Sequence, residues 1–86
     1  MSWVISWTRD AENALTEFWL ISPQRQQISA SADEAELMLA RNPETCGDYL
    51  SEDLWSLDRP PLRFHYVMDA TQRIVTVVAV SMRSPR

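Results

Sequence analysis

Between Pro60 and Arg83 the chain reads PPLRFHYVMDATQRIVTVVAVSMR, two apolar-rich runs of strand length around a short polar break, and no other segment limits the fold as much. Leu62, Phe64, Tyr66 and Met68 alternate with Arg63, His65 and Val67. Beyond the break, Ile74, Thr76, Val78, Val80 and Met82 alternate with Val75, Val77, Ala79, Ser81 and Arg83. Alternation with a period of two residues marks strands that turn one face to a core and the other to solvent. Folded back on itself with the turn near Thr71, the segment becomes an antiparallel hairpin in which Arg63 faces Ala79, and Arg59 lies near Arg83 on the same side. DATQR contains no Asn-Gly turn signal, so the register can slip by two residues, and any even slip keeps Arg63 and Arg83 on one face.

Upstream, Trp3, Ile5 and Trp7 alternate with Val4 and Ser6, which predicts a short strand. Thr8 then caps a helix whose first turn holds Asp10 and Glu12. Ala14, Leu15, Phe18 and Ile21 or Ser22 follow helical spacing from Ala11, with Trp19 extending the buried stripe until Ser22-Pro23 interrupts it. Ser22 as N-cap and Pro23 in the first helical position start a second helix, buried through Ile28, Ala32, Ala35 and Leu39 and stopped at Asn42-Pro43. After a loop with Cys46-Gly47, the residues Tyr49, Leu50, Leu54, Trp55 and Leu57 read as one strand, interrupted or bulged around Ser51 to Asp53. The order is strand, helical hairpin, then three strands. Helices gathered early and strands gathered late predict an α+β fold, with the helices packed on one face of a largely antiparallel sheet. The first strand pairs parallel to a non-sequential neighbour through the helical crossover.

Eighty-six residues suffice for a single domain spanning 1–86 with one modest core. One glycine against five prolines argues against a flexible arm. Cys46 is the only cysteine, which rules out an internal disulfide or a multi-thiolate metal site, and neither a metal nor any other cofactor is expected. No leader pattern or membrane-length apolar run stands out, so a cytoplasmic protein without membrane partners is expected. The net charge is −4 and lysine is absent, an unusual balance for a protein that grips phosphates. The signs are nonetheless segregated: after Asp58 the only acid is Asp69, whereas Arg59, Arg63, Arg73, Arg83 and Arg86 all follow it.

The strand ending in WTRDAENAL, the helix closing on LMLARNPETCGDYL, the stretch WSLDRPPLRFHYVMD and the final RIVTVVAVSMR together resemble the RelE/ParE superfamily, the toxins of bacterial toxin-antitoxin modules. The likeness spans nearly the whole chain. It implies the same strand–hairpin–meander fold, a cognate antitoxin as partner and, as the leading expectation, a toxin that inhibits translation by ribosome-dependent mRNA cleavage, with a gyrase-directed or inactive fold as the alternative. In ribonuclease members cationic residues on the sheet grip messenger RNA in the ribosomal A site, whereas gyrase-directed members share the fold without that chemistry. By this resemblance Arg63, in PLRFHY, falls where an arginine contacts the scissile phosphate, and Arg83, in VSMR, falls where a second one sits. Arg59 and Arg86 are further cations for substrate binding.

Metal-free RNA cleavage requires activation of a 2′-hydroxyl, stabilisation of charge on the phosphorane and protonation of the leaving oxygen. Arginine serves the second need, but it holds its proton too tightly to exchange it at neutral pH. His65, two residues from Arg63 and on the same strand face, is the candidate shuttle, with Glu52 or Asp53 as a base on the neighbouring strand. The competing readings are that Arg63 and Arg83 are solvated arginines paired with Asp58, Asp53 or Glu52, and that His65 is a partly buried strand histidine. SEDLWSLDR is acidic and apolar where the ribonucleases carry lysines, which favours the alternative of a non-catalytic fold that binds gyrase or an antitoxin, or has lost toxicity. The tryptophans are expected in the core or at a partner interface. Asp33, Glu34 and Glu36 read as a solvated face. A groove between the helices and the sheet edge fits an antitoxin peptide, with Val75, Val77 and Ala79 as an apolar patch beside the arginines.

Overall fold

The computed structural model describes residues 2–82 of the chain. Strand β1 (Val4–Trp7) leads into helix α1 (Arg9–Ile21) and helix α2 (Arg25–Arg41), followed by strands β2 (Asp48–Ser51), β3 (Leu54–Arg59), β4 (Leu62–Asp69) and β5 (Ile74–Met82). The strands form one five-stranded sheet in the order β1-β5-β4-β3-β2. β1 runs parallel to β5, and all other pairs are antiparallel. This is the α+β arrangement expected, with one strand more. The single interrupted strand expected after Gly47 is two strands, β2 and β3, joined by a two-residue turn in which Glu52 and Asp53 both adopt positive φ, 50° and 67°. Those angles are the signature of a type I′ hairpin turn, whose usual Asn-Gly marker is missing here.

Thr8 caps α1 by accepting the Ala11 N–H at 3.1 Å. Ser22 does not cap α2: it ends α1, with its own N–H on the Phe18 carbonyl, while its hydroxyl accepts the Gln24 N–H at 2.9 Å. α2 therefore starts at Arg25, behind a Gln24 that provides no side-chain cap. A serine before proline fits an N-cap and a short hydroxyl turn equally well, and here the turn prevails.

The core lies between the helices and one sheet face. Ala11, Ile28, Ala32, Ala35 and Leu39 from the helices meet Leu57, Leu62, Phe64, Tyr66, Val75, Val77 and Val80 from the strands, and Trp3 is buried with them. Trp7 meets Phe64 edge-to-face with ring centroids 6.1 Å apart, and Trp55 stacks near Tyr66. Trp19 departs from the buried stripe. It is 39% exposed beside the more exposed Leu20 and Ile21, and its ring carries the Arg25 guanidinium 4.6 Å above its centre.

The placement of Val75 and Val77 also needs correction. Both are fully buried, and so do not form an apolar patch on the open face. Tyr66 pairs with Val77 but His65 pairs with Ala79, which leaves Val78 as an extra residue in a β-bulge. The bulge reverses the alternation along β5: Val75 and Val77 point to the core before it, and Val80 does so after it. Thr8 holds this point, donating its backbone N–H to the Val77 carbonyl at 3.0 Å and its hydroxyl to the Val78 carbonyl at 3.4 Å. Among the described residues no helix is long and apolar enough to cross a membrane.

Candidate functional site

The face of the sheet away from the helices takes every second residue of β3, β4 and β5. On β4 these are Arg63, His65 and Val67, because Leu62, Phe64 and Tyr66 are committed to the core. Arg63 faces Ser81 on β5, two residues from the Ala79 expected, and faces Asp58 on β3. The Asp58 pairing follows from the tight Pro60-Pro61 connection between β3 and β4, which sets Arg59 against Leu62 and so Asp58 against Arg63.

The side chains of this last pair meet. Arg63 Nε donates to Asp58 Oδ1 at 2.7 Å, and Nη2 reaches Oδ2 at 3.4 Å. Hydrogen bonding to Asp58, reinforced by its charge, pushes the Arg63 guanidinium further above its already high range. Arg63 is therefore a permanent cation whose field is offset by a carboxylate on the same face. Both side chains stay open to solvent, at 45% and 36% exposure, so the pair can exchange partners when a ligand arrives.

His65 is partly buried between Ser56 of β3 and Ala79 of β5. It shares Arg63's face, as the alternation required. Glu52 and Asp53 form the β2–β3 turn rather than the strand position across from the imidazole, which belongs to Ser56. Arg59 does not share this face. Its Nη2 lies 3.0 Å from Glu34 Oε1 on α2, and its backbone carbonyl accepts the Ser31 hydroxyl, so it ties β3 to the helical layer. The expectation that Arg59 sits on the Arg63 side fails because β3 has the opposite phase at that residue. Arg83 and Arg86 lie outside the described residues. The open face thus brings together Arg63, His65 and Asp58, and Asp58 is the member that the resemblance did not mark. Its signal was present in the sequence, since a two-residue turn at Pro60-Pro61 places positions 58 and 63 directly opposite.

Residues 5–85 match the family model described as the ParE toxin of the type II toxin-antitoxin system parDE. The fold is similar to the toxin-antitoxin complex RelBE2 from Mycobacterium tuberculosis, with a TM-score of 0.81 and 22% identity over 96% of this chain and 93% of that one. It is also similar to the chromosomal ParDE system of P. aeruginosa (TM-score 0.73, 13% identity, 95% and 97% coverage). A third likeness is to the archaeal RelE-RelB complex of Pyrococcus horikoshii OT3 (TM-score 0.62, 13% identity, 100% of both chains). Among curated proteins no sequence matches.

Proposed function

The chain belongs to the ParE family of type II toxins, and from that membership we propose that it arrests growth by docking on a protein target, DNA gyrase, under the control of a cognate antitoxin. The pairing of Arg63 with Asp58 is the observation that carries this reading. A surface built to hold an RNA backbone concentrates uncompensated cations. Here the central guanidinium shares its face with a carboxylate, in a chain of net charge −4 without lysine. Paired opposite charges of that kind suit the polar contacts of a protein interface, where they set orientation and exclude wrong partners. The cytoplasm, where gyrase works, is the matching compartment.

Ribosome-dependent mRNA cleavage is the second reading, favoured by the common face of Arg63 and His65. In that chemistry Arg63 and Arg83 stabilise the phosphorane, His65 moves the proton, and Arg59 and Arg86 add substrate contacts. One set of experiments separates the two. Induced expression should halt growth, purified protein should block gyrase supercoiling of relaxed plasmid, and messenger RNA should stay intact in a translating extract. Arg63→Ala should relieve the supercoiling block by at least tenfold in the concentration required, and His65→Ala should leave it unchanged. Ribosome-dependent mRNA fragments lost in both variants, with supercoiling unaffected, would establish cleavage instead.

A further inference from the structure

The Arg63 guanidinium has two edges that can each grip an anion with a pair of N–H groups. The side edge, Nε with Nη2, is taken by the two oxygens of Asp58, at 2.7 and 3.4 Å. The end edge, Nη1 with the second Nη2 hydrogen, meets no acceptor among the described residues and belongs to a side chain that is 45% exposed. The strand register sets what surrounds it. Ser56 and Asp58 of β3 stand across from His65 and Arg63 of β4, and Asp48 of β2 stands across from Ser56, so a second carboxylate shares the open face one strand further out. Among the described strand residues Arg63 is the one permanent cation on this face, since Arg59 turns to Glu34 on the helical side.

Such a face treats a strand of phosphates and a single carboxylate differently. A polyanion gains affinity by giving up counterions to several cations in succession, and here it meets one cation with carboxylates beside it. A phosphate on the side edge would have to displace Asp58 and then lie against the freed charge, a like-charge contact that costs affinity. A single carboxylate can instead take the end edge with two parallel N–H···O bonds and leave Asp58 in place. Asp58 also holds the planar fork in one orientation, which lowers the ordering cost of that contact. We propose that Asp58 is the specificity-determining residue of the open face: it denies Arg63 to nucleic-acid backbones and presents the remaining edge to one aspartate or glutamate side chain of the target protein. This rests on the protein-target reading above and adds the chemistry of the contact.

Exclusion is read without the target, by titrating the full chain into a fluorescein-labelled oligouridylate and following anisotropy over a range of salt concentrations. Asp58→Asn should tighten binding about fivefold to tenfold at low salt and steepen the log–log salt dependence by about 0.7, the increment of one further phosphate contact on a single strand. Adding Arg63→Ala should cancel that gain, and Asp58→Glu should bind as weakly as the parent. Glu17→Gln, which removes the same charge from an exposed position of α1 on the other side of the sheet, should stay within about twofold of the parent. Thermal midpoints establish that each variant is folded. RNA bound no more tightly by Asp58→Asn than by the parent, or a gain that survives Arg63→Ala, overturns the proposal and leaves the gyrase reading standing wherever the parent blocks supercoiling. The carboxylate contact is read in that supercoiling assay: Arg63→Lys keeps the charge and loses the fork, and should raise the concentration needed for the block about fivefold. An undiminished block by Arg63→Lys overturns the contact. A parent that never blocks supercoiling overturns the gyrase reading and the contact with it, while exclusion by Asp58 still stands or falls on the RNA titration.

Discussion

Gly47, the only glycine, is required by proximity rather than by backbone angle. A Cβ there would overlap the Tyr66 hydroxyl and lie 2.6 Å from the Ser56 carbonyl oxygen. Tyr66 is fully buried and donates to the Pro43 carbonyl at 2.8 Å, so the ring cannot swing away without stranding that acceptor. Gly47→Ala should therefore destabilise the fold by about 1–3 kcal/mol in urea denaturation. Tyr66→Phe should cost about 1–3 kcal/mol through the unpaired carbonyl, and the double variant should cost less than the sum, because removing the hydroxyl clears part of the overlap. Burial raises both the Cys46 thiol, ordinarily near 9.0, and the Tyr66 phenol, ordinarily near 10.0. The folded state keeps protons that the unfolded chain releases, so this contribution is complete below pH 9 and is lost as pH climbs past 9 and then past 10. Urea midpoints measured across alkaline pH should show that decline, with Cys46→Ser flattening its first part and Tyr66→Phe its second. Neither requirement was legible from composition: Gly47 reads as an ordinary loop glycine until Tyr66 is seen beneath it.

The element ends show where local signals decide and where they do not. Thr8 reads as a cap from sequence and serves as one, because a hydroxyl beside an acidic first turn has few better uses. Ser22-Pro23 misleads because the hydroxyl satisfies Gln24 instead, leaving α2 without a side-chain cap. Gln24→Asp should accordingly add about 0.5–1 kcal/mol to stability, read as a higher thermal midpoint. The β2–β3 turn is the counterpart in the sheet, with Glu52 and Asp53 in a conformation that favours asparagine and glycine. Replacing the pair by Asn-Gly should stabilise the hairpin by about 1 kcal/mol, again visible in thermal unfolding. Sequence alone predicts an interrupted strand here because Glu-Asp carries no turn signature, and only cross-strand pairing to β3 reveals the hairpin.

For the molecule as a whole, the sheet order distributes protection unevenly. β4 lies at the centre of the order, whereas β2 is an edge strand exposed at every residue. Amide exchange should thus be slowest in β4 and the β5 residues that flank it, and faster in β2 by about two orders of magnitude or more, as expected when an edge opens locally. Comparable protection in β2 and β4 would show that the hairpin opens only with the whole sheet. The sequence determined the element order, the two buried helical stripes and the sharing of one face by Arg63 and His65, because mixed polar and apolar residues fix a phase wherever they alternate. It could not set the phase of IVTVVAV, whose apolar residues offer no contrast between faces, so the Val78 bulge and the burial of Val75 and Val77 were decided by strands laid side by side, as was the turning of Arg59 toward α2.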